Sequence, residues 1–173
     1  MNKKNKRGVS PLIATVLLIA FAVALGAVVM NWGRSYVQDT AEDVRTKSDR
    51  DVKCSQDVGI EVQKIDTTPQ MCYGGSGTAG FLDFTIYNKG HKNIASLTVT
   101  IVGSTAVYTN SSVNGTSVNI GQMMRKNMSY SYTTYGSIQL VKIVPEITLG
   151  GVLTACSGNA LEKGTSDLRN CSG

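Results

Sequence analysis

Two patterns of apolar and polar positions divide this chain. The first is an unbroken greasy run: from Val9 to Met30 no side chain carries a charge, and Ala, Leu, Ile and Val dominate. A helix rises about 1.5 Å per residue, so the run spans roughly 30 Å, the thickness of a bilayer's hydrocarbon core. Pro11 has no backbone N–H and suits a first helical turn, with Ser10 placed to cap it. Ala20, Ala24 and Ala27 recur at spacings of four and three, so they share one helical face, and small residues let helices approach closely. Residues 34–53 keep helical spacing at Val37, Ala41, Val44 and Ser48 with charges on the other faces. This predicts an amphipathic continuation that rests a narrow apolar stripe on the following domain, with Gly33 as a kink between the two halves.

From residue 58 the period changes to two. VGIEVQKI alternates and then turns at Thr67–Pro69, and GGSG at 74–77 reads as a flexible loop. FLDFTIYN, IASLTVTIVG, TAVYT, TSVNI, MSYSYTTY, IQLVKIVPEITL and VLTAC follow, separated by Gly, Asn or Ser. Many short strands with turn signals about every ten residues predict an antiparallel β-sandwich. FTIYNKGHKNIASLTVTIVG reads as a hairpin of an immunoglobulin-like module, and Pro145 predicts an edge position or a bulge. The expected fold is therefore α+β: a long N-terminal apolar helix, then a β-sandwich head over 54–173.

Charge orients this arrangement. Net charge is +5, and Lys3, Lys4, Lys6 and Arg7 supply four of those charges ahead of Gly8. Cations flanking an apolar span stay on the cytoplasmic side, which sends the remainder outward, with Trp32 and Arg34 where the run meets water. The rest of the chain is close to neutral, its basic residues are scattered, and nucleic acid is not an expected partner.

Four cysteines, Cys54, Cys72, Cys156 and Cys171, include no C-x-x-C pair, and His91 is the single histidine. That spacing predicts no metal site and, on an outward-facing domain, two disulfides. Three pairings are possible. Cys54–Cys72 and Cys156–Cys171 are preferred because each closes a local loop. Sequons at Asn110, Asn114, Asn127 and Asn170 are candidate glycosylation sites, three of them in a polar stretch at 110–129 expected to be surface loop. Met128, Tyr130, Tyr132 and Thr134 are expected on one strand face, with Tyr130 and Tyr132 lining or rimming the core. No carboxylate pair, Ser-His-Asp set or phosphate loop appears. The expectation is a non-enzyme with no catalytic residues and no cofactor.

The stretch KRG-VSPLIATVLLIAFAVALGAVV resembles the class III signal peptide and N-terminal helix of archaeal type IV pilins. The resemblance implies that a prepilin peptidase recognises Lys6 and Arg7 and cuts between Gly8 and Val9. Residues 1–8 would leave as a signal peptide, and residues 9–53 would form the mature helix, apolar over 9–33. The chain would wait as a single-pass membrane protein with its N-terminus in the cytoplasm. A membrane assembly platform would then extrude it into a surface filament made of copies of itself, for adhesion. Bacterial pilins carry a glutamate at the fifth mature position, whereas this chain has Ile13. An archaellum subunit for motility and a permanently anchored, monomeric binding domain are the alternative readings.

Overall fold

The apolar run and the charged segment after it form one helix. The computed structural model describes residues 11–113 and 115–171. The expected junction at Gly8 and Val9, the cations Lys6 and Arg7, and Asn114 lie outside the described residues. Helix α1 spans Pro11–Asp57, 47 residues and roughly 70 Å long. It runs without a break through Gly33, since one glycine costs only about 1 kcal/mol within a helix. The Thr15 hydroxyl donates to the Leu12 carbonyl at 2.9 Å, so it needs no polar partner outside the helix. Two compact units divide the chain, Met1–Lys47 and Ser48–Gly173.

The second unit is built on two sheets. In the first, β5 (Gly80–Asn88) pairs along its whole length with β8 (Met123–Tyr130). Its other side is shared by β1 (Ile60–Val62) and β4 (Met71–Gly74). Beyond β4 lies β12 (Arg169–Asn170), which runs parallel to it, whereas a purely antiparallel arrangement was expected. In the second sheet, β9 (Ile138–Leu149) pairs with β6 (Ser96–Gly103), and β6 with β7 (Val107–Asn110). The far side of β9 is shared by β10 (Val152–Ala155) and β11 (Leu161–Gly164). A short hairpin joins β2 (Lys64–Ile65) to β3 (Thr68–Pro69).

Alternation decides what is buried. Leu82, Phe84 and Ile86 on β5, Leu97, Val99 and Ile101 on β6, and Val141 and Ile143 on β9 are fully buried and belong to one hydrophobic cluster. Each full burial stabilises by about 1.5–3 kcal/mol.

Several expected pairings are replaced by others. The segment read as a β5–β6 hairpin is a crossover instead, because its two strands belong to different sheets. Asn88 makes it so. Its buried side chain donates to the carbonyls of Lys92 at 2.8 Å and Val118 at 3.1 Å, and accepts from Gly90 N–H at 3.0 Å. Those bonds hold residues 89–92 in an arch. TSVNI contributes only a single bridge, Ile94 to Val118.

Pro145 lies in central strand β9, not at an edge or a bulge. Its carbonyl accepts from Cys156 N–H at 2.9 Å, on the side where pairing passes from β10 to β11. In an antiparallel strand the N–H and C=O of one residue point to the same side. The missing N–H therefore faces Cys156, whose carbonyl instead accepts from Asn159 N–H at 3.1 Å, so no acceptor is left open. Strand β8 ends at Tyr130, and Tyr132–Tyr135 form a helical turn, α2, capped by Ser131. Tyr132 and Tyr130 thus do not share a strand face. The Gly77 carbonyl accepts from Tyr132 N–H at 2.8 Å, which ties the expected flexible loop to this turn.

Candidate functional site

Between Pro11 and Gly33 the helix carries its apolar side chains exposed. An 18-residue window reaches a mean hydropathy of 2.9 with none of it buried, long and apolar enough to cross a membrane. Phe21 and Trp32 are 67% and 69% exposed, and the Trp32 ring stacks on Tyr36 at 5.8 Å between centroids. Ala20, Ala24 and Ala27 are exposed on one face. A second face was not anticipated. Gly26, Val29, Met30, Gly33 and Val37, with Arg34 and Gln38, line a shallow trough of about 580 Å³. A β-carbon added at Gly26 or Gly33 would meet nothing within 4 Å. At about 100° per residue, the trough lies roughly 140° around the helix from the alanine face. The seven-residue spacing of the two glycines was the available signal. Val37 and Val44, further along, are also exposed.

The last turn of α1 belongs to the second unit and is held there by the loop after β5. Asp57 carbonyl accepts from the N–H groups of His91 at 2.7 Å and Lys92 at 3.1 Å. The Gly59 carbonyl accepts from Lys89 at 3.0 Å and Gly90 at 3.1 Å. Asn159 Nδ2 donates to the Val58 carbonyl at 2.9 Å. The crossover loop thus satisfies acceptors that a helix end otherwise leaves open. Gly90 must be glycine, since a β-carbon there would lie 2.5 Å from the Asp57 oxygen and 2.6 Å from the Gly59 nitrogen. This seat extends the helix to Asp57, four residues past the expected 53.

All four cysteines are paired, but not locally. Cys54 bonds Cys156 and Cys72 bonds Cys171, with Cα separations of 5.3 and 5.1 Å. The local pairing expected from loop length is therefore overturned. The reason is register: β10 delivers Cys156 to the end of α1, and β12 runs beside β4 with Arg169 opposite Cys72.

The sequons are dispersed. Asn127 is exposed on β8 rather than in a loop, and its amide donates to Asp83 Oδ2 at 3.3 Å. Arg125 grips the same carboxylate through Nε at 2.8 Å. Asn110 is half-buried at the end of β7, and Asn170 is exposed on β12 beside bonded Cys171.

Tyrosines form a second cluster. Tyr130 lies 5.1 Å from Tyr132, 5.6 Å from Tyr135 and 6.3 Å from Tyr108, measured between ring centroids. The Tyr130 hydroxyl donates to the Gly136 carbonyl at 3.0 Å. Burial, reinforced by Tyr135, pushes the Tyr130 phenol up from its ordinary value; burial, then Tyr73 and Tyr130, does the same for Tyr132. Glu146 is buried, its carboxylate accepting from the hydroxyls of Thr98 at 2.7 Å and Ser112 at 3.0 Å. These contacts pin the loop after β7. They are packing devices. No three metal-ligating side chains converge among the described residues.

The chain matches no protein-family model and no curated protein.

Proposed function

We propose that this chain is the structural subunit of an archaeal type IV-like surface filament used for attachment. The precursor is inserted by its N-terminal helix with the second unit outside. A prepilin peptidase removes residues 1–8 after Gly8, and the helix moves from lipid into a bundle of identical helices. The observation that carries this reading is a helix with an uncharged, exposed span from Pro11 to Trp32 joined to a domain with a hydrophobic core of its own.

The two small-residue faces support a bundle over a dimer. One such face serves one neighbour, whereas two faces at different azimuths serve at least two. Burial among neighbours replaces burial in lipid, so the transfer changes little apolar exposure. The paired cysteines suit an oxidising exterior. The head reads as a two-sheet sandwich because residues of both sheets enter one cluster. Asn110, Asn114, Asn127 and Asn170 are the candidate attachment points for glycans on its outer surface.

The test is N-terminal mass spectrometry of material sheared from cells. Filaments whose subunits begin at Val9 are expected. Subunits that still begin at Met1 would overturn the processing step, and an unprocessed monomer confined to the membrane would favour the anchored binding domain.

A further inference from the structure

We propose that the two disulfides form a redundant tension clamp, so that a pull between α1 and Cys171 is carried by one of two short covalent routes and leaves the long segment between Cys72 and Cys156 out of the load path. The argument rests on how each end is tied. The chain leaving α1 enters β1, in the first sheet, while Cys54 in the last turn of α1 is bonded to Cys156. Cys156 follows β10 directly and donates its N–H to Pro145 of β9, so it belongs to the second sheet. The other end is tied differently. The chain reaches Cys171 through β12, which pairs with β4 in the first sheet, and Cys171 is bonded to Cys72 in β4 itself. Its N–H also donates to the Tyr73 carbonyl at 2.9 Å. The N-terminal end of the head is therefore held to both sheets, by the chain and by a disulfide, and the C-terminal end is held twice to the first.

The covalent consequence follows from counting along the chain. The bridges span 102 and 99 residues, and the two loops overlap almost completely. From Cys54 across its bridge, only fifteen residues separate Cys156 from Cys171. With that bridge absent, eighteen residues lead from Cys54 to Cys72, and the second bridge closes the path to Cys171. Either bridge alone thus limits the extension, and only loss of both lets the head unravel. Local pairing would have protected two short loops and left the body of the head to be pulled open. The clamp does not require that the chain assembles, so its failure and that of the filament reading are distinguishable.

The experiment stretches the oxidised full-length chain, in detergent, between handles on its two termini until all non-covalent structure has parted. A phosphine reductant is then admitted at constant force. The first reduction is expected to lengthen the tether by nothing or by about 10 Å, depending on which bridge is cut. The second should release 99 or 102 residues at once, about 340–350 Å at roughly 3.4 Å per residue. Two comparable steps of about 50–60 Å each would reveal local loops and overturn the clamp. So would a large release on the first cut, or no release at all.

Discussion

Phe21 is 67% exposed and Phe84 is 0% exposed. The same side chain meets opposite fates in the two units of this molecule, and the glycines repeat the contrast. A β-carbon at Gly26 or Gly33 would meet open space, whereas at Gly80 it would collide with the Tyr132 ring and the Tyr130 carbonyl. In the second unit, apolar and small residues are consumed by contacts within the chain. In the helix they are left unspent. Each large apolar side chain left in water forgoes about 1.5–3 kcal/mol, so a run of them specifies surroundings that the chain itself does not supply. The second unit is written to fold on itself, and the helix is written for apolar surroundings outside the chain.

The contrast breaks most visibly in the core. Phe84→Ala removes a fully buried ring from β5 and is expected to cost the head about 3–5 kcal/mol. Denaturant unfolding of the full chain in detergent, followed by near-UV circular dichroism, should show a lower midpoint while the helical signal of α1 persists. A helix that melted together with the head would mean the two units are not energetically separate.

Ala24→Leu is the reciprocal change. In the single chain Ala24 is exposed, so membrane insertion and head unfolding should be unaltered. In a packed helix bundle the added atoms overfill the contact, at about 1–3 kcal/mol per subunit. Immunoblots of membrane and sheared fractions should then show normal precursor and sharply fewer filaments. Unchanged filament yield would remove this face from any packed core.

The smallest effect is alkaline. From Pro11 to Gly33 the helix has no titratable side chain, so its signal should be flat with pH. In the head, the phenols of Tyr130 and Tyr132 are held above their ordinary value, chiefly by burial. Unfolding releases them to ionise near the usual value of about 10. Above that pH the unfolded chain binds fewer protons than the folded one, so stability falls as pH rises; below it, the two states are equally protonated at these groups. A midpoint of head unfolding that declines above about pH 10, absent in Tyr130→Phe/Tyr132→Phe, is the expected result.

Much of this molecule was legible from local pattern. The uncharged run predicted a helix because one turn after another carries apolar side chains without a breaker. FLDFTIYN, IASLTVTIVG and IQLVKIVPEITL predicted β5, β6 and β9 because period-two alternation is a property of consecutive residues. The second small-residue face is readable in the seven-residue spacing of Gly26 and Gly33. The helical turn at Tyr132–Tyr135 was not readable by alternation. It depends on Ser131 as a cap and on the distant Gly77 carbonyl.

What the sequence determined by itself was therefore what each segment is. It set a helix too apolar to be left in water, a strand-rich second domain, and four cysteines able to pair. Only the tertiary structure decided which segments meet. Asn88 turned an apparent hairpin into a crossover by bonding a carbonyl thirty residues away. Pro145 sits in a central strand because the carbonyl of Cys156, which it faces, accepts from Asn159 N–H instead. Cys54 joined Cys156 instead of nearby Cys72, although a shorter loop costs less entropy to close. Loop-closure cost grows only slowly with length, and burying residues of both sheets in one hydrophobic cluster outweighs it.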